Sequence, residues 1–403
     1  MQKLTRRTTL RVAGAGLAML PLGRLLSACT SADGEGEGEG EAAEGEGEAA
    51  EGEGEASEGE GEGEEPIVEP AWLVAQPAGA WLEIAGAAGV PGGLNMNAFC
   101  DMTIRQRDCR LLAAASGGHS DGPSNAAASL DLLSDTPAWT LLRDSTWDGV
   151  EVNVNYYADG SPCSRHTYHH THYIESLDAI LLAGCRYGWG GGTPTHGGMD
   201  LFSLATNTYL PRGTWPDSPG AYGVVVDGGG NIWNQAGEKF DIATLTWSKP
   251  GSGSVLRYPA AFDSVRNRIF ALQFADGEGY GDTVLNAREL DPATGNSVVI
   301  TFNDSEALTQ FNADAPAYAA MAFCTADGRF YFMHPGRMGT FYVVTPNASA
   351  VWDMTLWTPT GTAPPTSGVL CKRLLWVERL GGFVVQGDQN QNLRFVRGSA
   401  PTT

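Results

Sequence analysis

Ala317-Tyr318-Ala319-Ala320 followed, across an Asp327-Gly328 turn, by Arg329-Phe330-Tyr331-Phe332 is the stretch on which the fold turns. An apolar run, a tight polar turn and a second apolar run read as a β-hairpin. The same unit occurs at Met96-Asn97-Ala98-Phe99 to Ala113-Ala114-Ala115, Arg165-His166-Thr167-Tyr168 to Ile180-Leu181-Leu182-Ala183, and Ala221-Tyr222-Gly223-Val224 to Asn231-Ile232-Trp233. It returns at Tyr258-Pro259-Ala260-Ala261 to Arg268-Ile269-Phe270-Ala271 and at Ser367-Gly368-Val369-Leu370 to Gly382-Phe383-Val384-Val385. The inner turns are alike: Arg107-Asp108, Ser176-Leu177-Asp178, Asp227-Gly228, Ser264-Val265-Arg266-Asn267 and Leu380-Gly381. A third strand follows each hairpin and a fourth follows the first five, marked by Trp139, Tyr209, Trp247, the apolar Val298-Val299-Ile300, and Trp357. That leaves the last hairpin without a fourth strand, which Ala80-Trp81-Leu82-Glu83-Ile84 supplies from the other end of the domain. The expectation is an all-β ring closed by its own chain ends, which removes the exposed strand edge of an open array.

With these repeats in hand, residues 70–398 resemble a kelch or galactose-oxidase-type β-propeller. Ser116-Gly117-Gly118 after an apolar strand and the later Trp139-Thr140-Leu141-Leu142 match the glycine-pair and tryptophan signatures of that family. Ala183-Gly184-Cys185 and Gln386-Gly387-Asp388 keep one glycine, and Gln273-Phe274-Ala275 keeps none. The resemblance implies a six-bladed propeller of four-stranded blades over residues 67–403, or seven blades if Trp147 to Tyr157 conceals strands.

The first 66 residues read differently. Thr5-Arg6-Arg7-Thr8-Thr9-Leu10, an apolar stretch from Val12 to Leu22 and Leu26-Ser27-Ala28-Cys29 form a basic, apolar, small-residue order typical of an export signal over residues 1–29. The pair of arginines resembles a twin-arginine signal, with Thr9 where that family carries an aromatic residue. The final four residues resemble a bacterial lipobox, which implies lipidation at Cys29 and a membrane anchor. Thr30 in place of Asp implies, by the same resemblance, the outer membrane of a bacterial cell envelope. Residues 30–66 are a tether, nearly pure Gly and Glu from Asp33 onward; such a segment has too little apolar surface to offset the entropy of ordering.

Lys3, Arg6, Arg7, Arg11 and Arg24 precede the tether, which carries Asp33 and fifteen Glu; from a formal charge of -22 this leaves residues 66–403 at -11. An acidic domain is a poor partner for nucleic acid. A monomer is expected. Setting Cys29 aside, six cysteines remain, an even number suited to an oxidising compartment. Cys100 with Cys109, Cys163 with Cys185 and Cys324 with Cys371 are the pairings considered, against buried thiols that stay unpaired.

In kelch-like propellers the loops before the first strand and between strands two and three share one face, so the resemblance gathers candidate binding residues at one mouth. They are His119 with Asp121; Arg165, His166, Arg186, Trp189 and His196; Asp276, Glu278, Tyr280 and Asp282; His334 and Arg337; and Asp388. Indole or phenol faces stack on sugars and guanidinium groups hold carboxylates, which points to a polyhydroxylated or anionic ligand. Arg165-His166-Thr167-Tyr168-His169-His170-Thr171-His172-Tyr173 holds four of the seven histidines. Read as one strand it puts His166, Tyr168, His170 and His172 on one side and Arg165, His169 and Tyr173 on the other. A His-x-His pair suits a metal, whereas an inner strand would use the same rings to bond neighbouring blades. Neither a metal nor another cofactor is assigned.

The function these features favour is a tethered, non-catalytic binding protein for a glycan or an envelope protein. The alternative is a glycan hydrolase or lyase using Asp276, Glu278 or Asp282 with a mouth His or Arg. The Ser-x-Asp-x-Gly-x-x-Trp turn repeated in six-bladed sialidases is absent. A copper-radical oxidase like galactose oxidase would need an appended domain, and none is visible.

Overall fold

The hairpins turn on a shared local device. Gln106–Asp108, Glu175–Leu177 and Glu378–Leu380 each form one turn of 3-10 helix, closed by Cys109, Asp178 or Gly381 in the left-handed region. Asn267 and Gly328 take the same conformation in two other hairpins. Such a residue reverses the chain in the sense that suits the twist of the flanking strands.

The computed structural model describes residues 67–97, 99–185, 188–190, 196–219, 223–252, 259–274, 285–314 and 318–401. The signal, Cys29 and the tether lie outside them, as do Arg186, Asp276, Glu278, Tyr280 and Asp282. The described residues are mostly β with one α-helix, and their strands assemble into four-stranded antiparallel units. An N-terminal strand, β1 (Ala80–Glu83), precedes the first unit: β2 (Thr103–Arg105), β3 (Arg110–Ala114), β4 (Ala127–Asp131) and β5 (Trp139–Arg143). The second is β6 (Thr171–Ile174), β7 (Ala179–Cys185), β8 (His196–Ser203) and β9 (Thr208–Tyr209), and the third β10 (Gly223–Val226), β11 (Ile232–Asn234), β12 (Lys239–Asp241) and β13 (Thr246–Ser248). The fourth is β14 (Ala260–Asp263), β15 (Arg268–Phe274), β16 (Leu285–Leu290) and β17 (Ser297–Phe302). After α1 (Glu306–Ala313) comes the fifth: β18 (Ala320–Cys324), β19 (Arg329–Met333), β20 (Phe341–Thr345) and β21 (Val351–Trp357). A two-residue β22 (Thr360–Gly361) leads to β23 (Leu374–Val377), β24 (Gly382–Val385) and β25 (Arg394–Arg397).

The last sheet takes β1 as its fourth strand, antiparallel to β25 with Trp81 opposite Val396, and β22 adds on parallel to β1. Strands β17 and β21 pair in parallel, joining the outer edges of units four and five, a link the repeat pattern does not announce. No strand forms between Trp147 and Tyr157.

The first strand of each unit sits at one end of its sheet, hydrogen-bonded on a single side. Neighbouring units meet in sequence order, mostly through these inner strands and between units two and three through β7 and β10, and β23 returns to lie beside β2. Each gap between adjacent sheets is filled by apolar side chains from both. Leu111 and Ala113 meet Val384 and Phe395; Tyr331 and Phe341 meet Trp376 and Phe383; Phe270 and Leu272 meet Phe330 and Trp352. Similar clusters join units two and three, one and two, and three and four. Gly223 shows how tightly the gaps close, since a Cβ there would stand 2.6 Å from that of Ala183 and 2.7 Å from the Ile232 side chain.

The inner strands begin later than the apolar pattern suggests. Phe99, Tyr168 and Tyr318, read from sequence as strand, and Cys371, just after the Ser367–Leu370 run, have φ of 55°, 48°, 62° and 46° and bend the chain into the strand that follows. Single-strand alternation through Arg165–Tyr173 is therefore broken at Tyr168, and the strand proper starts at Thr171.

Trp81 is 6 % exposed, stacks on Phe341 at 5.6 Å and donates from Nε1 to the Gly339 carbonyl at 3.4 Å. Trp81→Ala should cost about 3–5 kcal/mol in urea unfolding, the range for a buried aromatic truncation. A cost below about 1 kcal/mol would mean that β1 does not lock the last sheet.

Candidate functional site

Side chains at the approaches to the inner strands converge in two layers along the axis of the ring. In the outer layer the Phe99 ring lies 5.0 Å from that of Tyr318, 5.8 Å from Tyr168 and 5.0 Å from the His166 imidazole. Backbone bonds fix their spacing: Tyr168 N–H donates to the Phe99 carbonyl at 2.8 Å, and Cys371 N–H to the Tyr318 carbonyl at 2.9 Å. Phe99 and Tyr318 remain half-buried, so the layer reaches solvent.

The loop after β3 brings polar groups to its edge. His166 Nε2 is 2.8 Å from Asp121 Oδ2 and Nδ1 is 3.3 Å from the Tyr168 hydroxyl, while the His119 ring lies 5.8 Å from that of His166. Burial holds His166 below the usual imidazole range, opposed by Asp121, so the ring is neutral at pH 7. His119 and Trp189 are knitted by backbone: His119 N–H donates to Gly188, Gly190 N–H to His119, and Trp189 N–H to Ser164. Trp189 is half-buried with its ring edge-on to Trp147 at 5.8 Å.

Four of the sequence candidates, His119, Asp121, His166 and Trp189, thus share one surface with Phe99 and Tyr168. Others lie elsewhere or are occupied. Arg165 is 1 % exposed, ion-paired to Asp200 at 2.9 Å and bonded to the Gly184 carbonyl at 3.0 Å, so its guanidinium braces the second unit and presents no surface to a ligand. Arg337 pairs with Asp314 at the end of α1, and His334 accepts from Gly336 N–H, capping a 3-10 turn. Asp388 accepts from Asn97 and from Asn390 N–H beside a cleft of about 150 Å³, and those bonds hold its carboxyl below the usual range. The backbone of His196 lies in β8.

The inner layer is a buried polar plug, and the sequence reading missed its two charges. Asp101 is fully buried and accepts from Thr171 N–H at 2.9 Å and Thr171 Oγ1 at 2.5 Å. Lys372 Nζ donates to the Thr171 carbonyl at 2.7 Å and lies 3.0 Å from His172 Nδ1. His172 Nε2 and His170 Nδ1 both reach the Gly223 carbonyl, at 3.3 and 3.0 Å. With Nδ1 accepting from the ammonium, His172 donates through Nε2 to that carbonyl. Burial holds His169 and His172 well below the usual imidazole range, which keeps them uncharged. The histidine run thus bonds one sheet to the next; among the described residues no three His, Cys, Asp or Glu side chains are placed to hold a metal ion.

Cys109, Cys324 and Cys371 carry free, buried thiols, so the first hairpin has no Cys100–Cys109 cross-link and Cys324 is not joined to Cys371. Burial raises Cys109 to about 11 and Cys324 to about 12, which makes them inert. The Cys185 side chain is outside the described set. A signal for the outer layer is present in the sequence: an aromatic residue stands at Phe99, Tyr168, Tyr222, Tyr258 and Tyr318, just ahead of an inner strand in five of six copies.

No protein-family model matches the chain, and no curated protein matches it. Among solved structures it is similar to a chain of the "Crystal Structure of Mitotic Checkpoint Complex", at 10 % identity, over 80 % of this chain and 92 % of that one, with a TM-score of 0.38. Such a likeness says nothing of what this chain binds.

Two predictions follow from the buried charges. Removing one member of the buried pair, as in Asp200→Asn, should cost about 3–5 kcal/mol in chemical denaturation, because Arg165 would be left desolvated and uncompensated; a cost near zero would contradict that role. Burial raises Asp101 from its ordinary 3.8 to about 7. A raised carboxyl pKa means that the folded state holds a proton the unfolded chain has lost, so the contribution is full below about pH 4 and disappears as pH rises through about 7. Asp101→Asn should flatten that part of the stability profile; an unchanged slope would assign it to other groups.

Proposed function

We propose that residues 67–403 form a six-bladed, kelch-like β-propeller carried on a lipid-anchored tether, whose axial entrance binds a glycan or an envelope protein without catalysing a reaction. The order of the sheets and the use of β1 as the last sheet's fourth strand support the six-bladed reading. One observation carries the binding reading: the half-buried Phe99 and Tyr318 rings, backed by the buried Tyr168, form an aromatic floor edged by the Asp121–His166 pair. Aromatic faces pack on the C–H faces of sugars, and the Asp121 carboxylate, held in place by the one N–H of the neutral His166 ring, offers its remaining lone pairs to hydroxyl groups. The acidic globular domain and the lipobox at Cys29 favour a non-nucleic-acid ligand at the outer membrane of a bacterial envelope, met by a monomer.

The test is a glycan array with the full chain, followed by titration of the best ligand. Asp121→Asn should weaken binding at least tenfold with an unchanged melting temperature, since a hydrogen bond to a charged group contributes about 1.5–3 kcal/mol, and Trp189→Ala should weaken it by loss of an aromatic face. Unchanged affinity in both variants would remove the entrance from the reading, and turnover of the glycan would replace binding with hydrolysis or elimination. Cys29→Ala should shift the protein from the membrane to the soluble fraction; retention at the membrane would overturn the lipid anchor.

A further inference from the structure

Beyond the polar plug, on the side away from the aromatic floor, the axis opens into a cavity of about 370 Å³. It is lined from every inner strand and bounded by the turns that carry Gln106, Ser264, Thr325 and Glu378. It therefore opens on the face opposite the loops that carry the candidate mouth residues. Val225, Ala261, Phe262, Met321 and Leu375 supply an apolar part of its walls, which slightly exceeds the polar part. At the rim Gln106 bonds the Trp376 carbonyl and the Glu378 N–H, and Thr325 Oγ1 donates to the exposed Glu378 carboxylate.

The floor is different in kind, because Lys372 and His172 both line the cavity. An ammonium has three donors. Two are directed to neutral acceptors, the Thr171 carbonyl and His172 Nδ1, and among the described residues no carboxylate forms an ion pair with Nζ. Asp101 favours the ammonium through its field, but its oxygens are taken by Thr171 and burial draws it toward its neutral form. His169 and His172, the other titratable groups that face Lys372, are neutral. A positive charge at the base of a cup whose walls include an apolar stretch is complemented by a single negative charge on an apolar body.

We infer that this cavity binds a small apolar monocarboxylate, with its carboxylate on the Lys372 ammonium and its hydrocarbon along the inner-strand walls. The site is independent of the aromatic entrance and stands or falls apart from it.

Isothermal titration of the full chain with butanoate, hexanoate, octanoate and octylamine tests it. Octanoate should bind, affinity should rise by up to about fourfold per added methylene, and octylamine should be far weaker. Lys372→Met should weaken octanoate at least tenfold. Ala261→Phe fills the cup without touching the lysine and should abolish binding, which keeps the test decisive if the first variant fails to fold. Burial lowers Lys372 to about 8, so affinity should fall as pH rises through that value and the ammonium loses its proton. No octanoate binding, equal binding in the folded variants, or octylamine binding as tightly as octanoate would each overturn the proposal.

Discussion

Each sheet of this protein has two faces to cover and no element of its own to cover them with, and the rest of the structure follows from that. The apolar clusters fall between sheets, each drawing side chains from two neighbours. A sheet removed from the ring would expose both faces at once, on the order of 25 cal/mol for each Å² of apolar surface. Closure by β1 is the corollary. Strand pairing to β25 fastens the two ends of the domain, and the Trp81–Phe341 stack fills the gap to the fifth unit with apolar side chains like the other gaps.

A ring of sheets meets at an axis where strand edges, not side-chain layers, come together, and polar backbone there needs partners. The protein places its densest side-chain chemistry at that point. Gly223 offers one carbonyl to two imidazoles, Thr171 bonds Asp101 through both its N–H and its hydroxyl, and Lys372 joins the last unit to the second. This plug divides the axis into an aromatic entrance and an apolar cup. The two ends present unlike chemistry because different ends of the same inner strands feed them.

Much of the fold was legible because its cause is local. Asp327-Gly328 and Leu380-Gly381 are turns by residue type, and Trp139, Trp247 and Trp357 sit on outer strands as their spacing indicates. The starts of the inner strands were not legible. Phe99, Tyr168 and Tyr318 have strand propensity, yet convergence at the axis forces each into a left-handed turn, a tertiary demand that overrides local preference. The candidate site divides along the same line. His119, His166 and Trp189 were identified from residue type and meet as neighbours, whereas Arg165 has the same residue type and is consumed by Asp200. Nothing in a loop sequence distinguishes an arginine that faces a ligand from one that braces a sheet, because the difference is the partner's position some thirty-five residues away.

By itself the sequence determined the order of the hairpins, their turns and the N-terminal strand's pairing with the last sheet, since periodicity and turn chemistry act over a few residues, but it left open whether Trp147 to Tyr157 adds a further unit. Only the tertiary structure decided which polar side chains are spent on the axis, that three of the cysteines are free, and that Asp101 and Lys372 face one another's field across the ring. Those outcomes depend on distances between residues as far apart as 101 and 372, and such distances exist only once the sheets have closed.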